Sequence, residues 1–230
     1  MIYLLPNLLD PDALKEFSFP PALAQIVPTL TGLIAESERG SRTFLKQFST
    51  HIPIFLLNEH TKDADIADFI HKFSGKWGLI SDGGLPCLAD PGAKLVALAR
   101  KKNIPIKAIS GPCSITLALM LSGIPSQSFT FHGYPDKDLL SLEKNHTHIF
   151  IEAPYRNQKF LEQLIKTLPD KTLLCTATDL TAPTEEVHTF PISAWKKYPL
   201  PQINKRPTVF LFLTQNAKRK LQNEERIKNS

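Results

Sequence analysis

The sequence predicts an α/β protein that is divided into two α/β domains. In the first half, short apolar runs that end in glycine- or aspartate-containing turns alternate with segments of helical spacing, which favours a Rossmann-like, largely parallel sheet. In the second half, strand-like runs follow one another with one clear helix late in the chain, which favours a mixed sheet. We expect domains at residues 1–111 and 112–214, followed by a polar tail at 215–230.

The length and composition agree with a folded protein that has either one large domain or two small ones with cores of their own. The chain has 230 residues, of which 42% are hydrophobic, and its net charge of +5 permits a polyanionic partner without requiring one. Its three cysteines are far apart and show neither metal-ligand spacing nor a disulfide framework, which predicts a reducing, cytoplasmic location. No apolar run reaches the roughly 20 residues that span a bilayer, so we expect no membrane association.

The first predicted elements lead from the amino terminus to a charged segment. Residues 2–5 predict a strand, and residues 10–17 a helix that the following prolines interrupt. The apolar run 33–35 leads into mixed charges that begin with Glu36, and the next strand is expected at 52–57. Around Glu36 the pattern fits a solvated helix start as well as a functional site, and both interpretations stay open.

The strand predicted at 52–57 leads through Asn58 into Glu59 and His60. An amphipathic helix comes next, because apolar residues recur with helical spacing from 66 to 73, and Thr61 or Asp63 would cap it. We therefore expect Glu59 and His60 at the carboxyl ends of parallel strands, where ligands of α/β sheets usually bind. A surface position without a function is the alternative.

The stretch from Trp77 to Gly92 combines a strand, a glycine loop and a second turn. Adjacent glycines at 83 and 84 free the backbone from side-chain bulk, so that it can approach a ligand closely. A helix at 93–102 and a strand at 105–109 follow, and then a similar loop and an apolar helix at 115–121. A tight connection that binds nothing is the alternative, since such turns are common.

The second half contains one amphipathic helix and several strand-like runs. The helix is indicated by apolar residues that share a face from 160 to 168. Two histidines, His146 and His148, alternate on a strand and are interpreted as structural, and Glu152 and Arg156 could pair across one helical turn. The strand-like runs are residues 129–131, 148–151, 173–176, 186–190 and 209–213.

A series of short motifs recurs in order over most of the chain. They are Asn58-Glu59-His60, Ser81-Asp82-Gly83-Gly84-Leu85-Pro86, Ala89-Asp90-Pro91-Gly92, Gly111-Pro112-Cys113-Ser114, Gly123-Ile124-Pro125, Phe129-Thr130-Phe131-His132-Gly133-Tyr134, Glu152-Ala153-Pro154-Tyr155-Arg156, Asp179-Leu180-Thr181 and Glu185-Glu186. Together they resemble the S-adenosylmethionine-dependent tetrapyrrole (corrin/porphyrin) methylases. They are most similar to the branch that methylates a ribose 2'-hydroxyl of small-subunit ribosomal RNA.

Two departures from related sequences bear on the substrate. Porphyrin methylases carry a carboxylate where this chain has Leu85, which favours the RNA branch. The first loop is shorter than in that branch, and only Asn7-Leu8-Leu9-Asp10 remains of it. A methylase of a tetrapyrrole-like small molecule, and a catalytically silent paralogue that binds cofactor or RNA, are the alternatives.

The resemblance implies a specific architecture, cofactor and site. It implies two α/β domains with a cofactor cleft between them, S-adenosylmethionine without a metal, a homodimer, and ribosomal RNA or the small ribosomal subunit as partner. A ribose hydroxyl is a poor nucleophile, so a proton acceptor is expected. The candidates are Glu36, Glu59 and His60, with Glu38 and Asp82 as further possibilities. The implied cofactor contacts are Gly83, Gly84, Leu85, Pro86 and Leu88, then Ser114 and Ile115, and finally Ala153, Pro154 and Thr181.

Overall fold

The computed structural model describes residues 1–13, 19–135, 139 and 141–214. The chain divides into two compact units, residues 1–113 and a second unit that begins at Ser114. The predicted tail at 215–230 lies outside the described residues, as do residues 14–17 of the helix predicted at 10–17. The part of that helix that is described is a turn instead, in which Ala13 N donates to Asp10 O.

The first unit contains a five-stranded sheet in which every pairing within the described residues is parallel. The strand order is β3-β2-β4-β1-β5, which confirms the predicted Rossmann-like sheet. The carboxyl ends of the strands therefore lie at one edge, and the loops that leave them can meet there. The strands are β1 (Ile2–Leu4), β2 (Gly32–Ala35), β3 (Ile54–Leu56), β4 (Trp77–Leu79) and β5 (Ile106–Ala108).

Helices cover both faces of this sheet. In β2, Leu33 and Ala35 pack in a buried cluster with Phe44, whereas Ile34 packs in a second cluster with Ile66. This alternation is the two-residue period of a strand, and it shows that both faces of the sheet are buried. The helices are α1 (Ala22–Ile26), which a short 3-10 turn (Val27–Thr29) extends, α2 (Glu38–Lys46), α3 (Asp63–His71) and α4 (Ala93–Lys101).

The starts of α2 and α3 differ in how the first amides are satisfied. Ser37 caps α2, because its side chain accepts a hydrogen bond from Gly40 N. The predicted cap of α3 is wrong, since Lys62 occupies that position without a side-chain bond. Thr61 instead accepts a hydrogen bond from Asn58 N, so it stabilises the turn before the helix.

The second unit contains a five-stranded mixed sheet of order β6-β7-β10-β8-β9. Within the described residues, β6 and β7 are parallel and the other pairs are antiparallel, which confirms the predicted mixed sheet. Its core is built around buried aromatic rings, among them Phe150, Phe160, Phe210 and Phe212. The elements are α5 (Ser114–Ser122), β6 (Phe129–Phe131), β7 (Thr147–Ile151), α6 (Asn157–Thr167), β8 (Leu173–Thr178), β9 (Glu186–Pro191), α7 (Ile192–Trp195) and β10 (Thr208–Leu213).

Three histidines in or next to β6 and β7 make side-chain hydrogen bonds. His146 contacts the hydroxyls of Ser128 and Thr130 at 2.9 and 2.8 Å, and His148 Nδ1 lies 2.9 Å from His132 Nε2. Burial lowers the pKa of His148. These contacts agree with a structural role for His146 and His148. None of the helices in the described ranges is long and apolar enough to cross a membrane.

Candidate functional site

The glycine loop after β4 is attached to the end of β1 by one asparagine. Asn7 N donates to Gly84 O at 2.8 Å, and Asn7 Nδ2 donates to Ser81 O and Asp82 O at 3.0 and 3.2 Å. The Asn7 side chain is buried and also accepts a hydrogen bond from Leu8 N. Asn7 was absent from the predicted site residues, although it belongs to the short motif that remains of the first loop.

The glycine loop exposes its backbone on one side and is closely packed on the other. Gly84 has a φ of +75°, and a Cβ there would lie 3.0 Å from Leu9 Cδ2 and 3.4 Å from Pro112 O. Gly83 is exposed, and a Cβ there would meet no atom closer than 3.5 Å. The loop can therefore present main-chain groups to a ligand at Gly83. Of the other predicted loop residues, Pro86 is buried, Leu85 is half-buried and Leu88 is exposed.

Carboxylates from two strand ends meet beside this loop. Ser37 Oγ donates to Asp82 Oδ1 at 2.8 Å, and Asp82 N makes a long contact of 3.5 Å with Glu36 Oε2. A side chain at Gly40 would clash with Asp82, since a Cβ there would lie 2.1 Å from Asp82 Oδ1. Burial raises the pKa of Glu36, and the negative charges of Asp82 and Glu59 add to this effect.

Asp90 supplies a third carboxylate to the same region. The pKa of Asp90 is raised to about 6, chiefly by burial and also by the negative charges of Glu36 and Asp82, while a hydrogen bond from Ser81 opposes the shift. This residue was missing from the predicted catalytic candidates. The signal in the sequence was its place in the Asp90-Pro91-Gly92 turn, which gives no information on burial.

Glu59 and His60 lie in the open after β3. The Glu59 Oε1 to His60 Nε2 distance is 3.6 Å, and the two side chains are 83% and 84% exposed. Glu59 is close enough for its charge to raise the pKa of Glu36. The geometry fits the alternative of a surface pair better than that of a desolvated base, and a catalytic role for either residue stays a prediction.

In the second unit, the predicted contacts at Ala153 and Pro154 lie in a structured turn. Ala153 N donates to Glu152 Oε1 at 2.7 Å, and Pro154 O accepts from Lys205 N at 2.8 Å. The predicted pairing of Glu152 with Arg156 is present, with Nη1 to Oε1 at 3.9 Å. Two further predicted contacts lie at the start of α5, where Ser114 is half-buried and Ile115 is buried.

Among the predicted cofactor contacts, Thr181 has a polar group that a ligand could pair with. Its φ is +73°, and its backbone N–H donates to Glu185 Oε2 at 2.7 Å. The Thr181 hydroxyl is buried and has no hydrogen-bond partner among the described residues. Leaving such a group unpaired costs about 1–3 kcal/mol, so a polar ligand atom would be favourable here.

Comparison with known sequences shows which family this two-unit α/β fold belongs to. Residues 24–195 match the tetrapyrrole (corrin/porphyrin) methylases, and the chain belongs to this family. Membership confirms the prediction of a methyltransferase that uses S-adenosylmethionine. Each unit, taken by itself, has a feature that can bind polar cofactor atoms, namely the exposed backbone at Gly83 in the first unit and the unpaired Thr181 hydroxyl in the second.

Two similar proteins carry the name ribosomal RNA small subunit methyltransferase I. The one from Xylella fastidiosa is 30% identical over 207 residues, which cover 86% of this chain and 76% of that protein. The one from Vibrio cholerae is 28% identical over 178 residues, which cover 73% of this chain and 62% of that protein. The chain therefore spans about three quarters of the first relative and less than two thirds of the second.

Solved structures of low sequence identity show the same fold. The uroporphyrin-III-C-methyltransferase of Thermus thermophilus aligns with a TM-score of 0.59 at 16% identity, over 93% of this chain and 91% of that one. The methyltransferase CobJ aligns with a TM-score of 0.61 at 13% identity, over 93% of both chains. A complex of the Thermus enzyme with S-adenosylhomocysteine aligns with a TM-score of 0.57 at 12% identity, over 92% of this chain and 96% of that one.

Proposed function

We propose that this protein transfers a methyl group from S-adenosylmethionine to a ribose 2'-hydroxyl of small-subunit ribosomal RNA. The names of the relatives that align with most of the chain support the RNA substrate. The observation that carries the proposal is the glycine loop beside Glu36 and Asp90, since it combines open backbone at Gly83 with two carboxylates whose pKa is raised.

The reaction requires alignment and a proton acceptor. S-adenosylmethionine supplies an activated methyl group, so the protein has to hold donor and acceptor in line and exclude water. A base works best when its pKa is near the working pH. With a pKa of about 6, Asp90 is deprotonated at pH 7.5 and can still accept a proton from the ribose hydroxyl. Glu36, whose pKa is also raised, is the second acceptor that we propose.

The cofactor contacts that we propose are those expected from the sequence. The structure suggests which of them would make hydrogen bonds to the cofactor. Exposed main-chain atoms at Gly83 would accept or donate hydrogen bonds, Gly84 would keep the loop close to the cofactor, and the Thr181 hydroxyl would gain the partner that it lacks. The remaining proposed contacts are Leu85, Pro86, Leu88, Ser114, Ile115, Ala153 and Pro154.

Four single variants separate the proton acceptors. We expect Asp90→Asn and Glu36→Gln each to lower kcat by about 10²–10⁴-fold, the range of general-base catalysis, with little change in binding of S-adenosylhomocysteine. Glu59→Gln and His60→Asn are the comparison, because both side chains are exposed. A large loss of kcat in either of these two variants, with activity kept in Asp90→Asn, would show that the base is Glu59 or His60 and not Asp90.

The substrate is tested by nucleoside mass spectrometry of small-subunit ribosomal RNA from cells with and without the gene. We expect the loss of one 2'-O-methyl nucleoside, and its return after treatment with purified protein and S-adenosylmethionine. An unchanged profile with intact cofactor binding would exclude the RNA substrate and direct the search to small-molecule acceptors. A wild-type protein that binds S-adenosylhomocysteine without any turnover would be a silent paralogue.

The resemblance also supports a location and an assembly state. We propose that the protein acts as a homodimer in the cytoplasm, where ribosomal subunits are assembled. Sedimentation equilibrium of the purified chain tests the dimer directly. A single species at the 25.8 kDa of one chain would contradict it.

A further inference from the structure

One turn in the second unit holds two of the three segments that carry the proposed cofactor contacts of this unit. The turn is Lys205–Arg206, just before β10, and the two segments are 153–157 and 179–186. We propose that Arg206 is a positioning residue for S-adenosylmethionine, which sets cofactor affinity by holding these segments without touching the cofactor. The inference rests on the proposed function and extends it to a residue outside the predicted motifs.

The Arg206 guanidinium donates hydrogen bonds to four acceptors. Nε donates to Asp179 Oδ2 at 2.7 Å, and Nη2 donates to Thr184 O at 2.8 Å. Nη1 donates to Glu186 Oε1 and, at 3.1 Å, to Gln202 O. The planar fork of arginine can serve acceptors in several directions at once, whereas the ammonium of lysine acts as a single point charge. Arg206 therefore connects the two ends of the loop that carries Thr181.

The loop held in this way has an unfavourable backbone. Asp179 and Thr181 have φ values of +49° and +73°, and non-glycine residues in this region cost roughly 1–2 kcal/mol each. Thr184 Oγ1 donates to Asp179 Oδ2 at 2.8 Å, the same oxygen that accepts from Arg206. Such a conformation persists only where surrounding contacts enforce it. The contacts of Arg206 supply that enforcement next to the unpaired Thr181 hydroxyl.

The main chain of the same turn holds the other segment. Lys205 N donates to Pro154 O at 2.8 Å, and Arg206 O accepts from Asn157 Nδ2 at 2.6 Å. Asn157 is fully buried at the start of α6, so this second anchor is rigid. Movement of the turn would therefore be transmitted to the Ala153-Pro154 segment as well as to Thr181.

Calorimetric binding of S-adenosylhomocysteine, with three variants, tests the inference. Arg206→Met keeps much of the side-chain length but removes the fork, and we expect its Kd to rise at least 10-fold. Arg206→Lys should recover part of this loss. Lys205→Gln is the matched control, because it removes the neighbouring positive charge while its backbone N still contacts Pro154. We expect its Kd to stay within 2-fold of the wild-type value.

Two further measurements separate positioning from general stability. In steady-state assays, Arg206→Met should raise KM for S-adenosylmethionine about 10-fold and change kcat less than 3-fold at saturation. Without ligand, the Thr181 amide, which donates to Glu185, should exchange its hydrogen faster in Arg206→Met than in wild type. Leu161→Ala, in the core of the same unit, should lower stability with no change in Kd.

The results of these measurements test the role of Arg206 separately from the proposed function. A folded Arg206→Met protein that binds S-adenosylhomocysteine as tightly as wild type would refute the role of Arg206 and leave the proposed function intact. Equal weakening in Arg206→Met and Leu161→Ala would also refute it, since destabilisation alone would then explain the loss. Failure of the wild-type protein to bind the ligand would instead refute the proposed function, and the role of Arg206 with it.

Discussion

Replacing Asp90 with asparagine should stabilise the first unit at neutral pH but not in acid. The folded-state pKa of about 6 lies above the ordinary value of 3.8, so the folded protein binds more protons than the unfolded chain between these values. The contribution of Asp90 to stability is therefore full below pH 3.8 and is lost as pH rises through 6. Asparagine cannot ionise and removes this dependence.

The size of the effect follows from the same pKa. Each tenfold change in an acid constant corresponds to about 1.4 kcal/mol, so a rise from 3.8 to about 6 corresponds to about 3 kcal/mol. Asp90 is partly exposed, and screening by solvent reduces this value to roughly 1–2 kcal/mol. We expect Asp90→Asn to gain that amount over wild type at pH 7.5, and to show no gain at pH 3.5.

Urea unfolding at a series of pH values measures this difference. Trp77 lies in the first unit and Trp195 in the second, so a Trp195→Phe background lets fluorescence report on the unit that contains Asp90. Asp12→Asn, at an exposed aspartate of the same unit, is the control and should show no comparable change with pH. A stability difference between Asp90→Asn and wild type that is constant from pH 3.5 to 7.5 would refute the reasoning.

Three further predictions concern the loop and the core. Gly84→Ala should weaken binding of S-adenosylhomocysteine at least 10-fold, because the added Cβ would press on Leu9. Gly123→Ala is the control. Its φ is also positive but nothing lies within 4 Å of the added Cβ, so it should cost only backbone strain and leave the Kd unchanged. Asn7→Ala should destabilise the first unit by about 1–3 kcal/mol in urea unfolding. Asn7→Asp should not restore the lost stability, because an aspartate cannot donate the two hydrogen bonds of the Asn7 amide. Leu161→Ala should cost about 2–5 kcal/mol in the second unit, and a smaller loss would show that the cavity collapses.

The strand and helix pattern was largely predictable because it is a local property. The apolar runs at 54–56 and 208–213 became strands, and the helical spacing at 93–101 became a helix. The errors occurred where side-chain contacts compete with the pattern. The predicted cap of α3 is one example, since Thr61 bonds to Asn58 instead. The turn at residues 10–13 is another, because its few apolar positions do not distinguish a helix from a turn.

The sequence by itself determined the family, the two kinds of sheet and the glycine loop. These features depend on the order of short motifs and on the spacing of apolar residues, both of which can be read along the chain. It also contained Asn7, Asp90 and Arg206 without indicating what they do.

Only the tertiary structure decided the roles of those three residues. Asn7 holds a loop that lies 74 positions later, and Arg206 reaches back 27 positions to Asp179. The proton affinity of Asp90 depends on burial, on the charge of Glu36 at the end of β2 and on the charge of Asp82 in its own loop. Hydrogen bonding and desolvation act through space, so residues far apart in the chain determine them together, and no local pattern records the result.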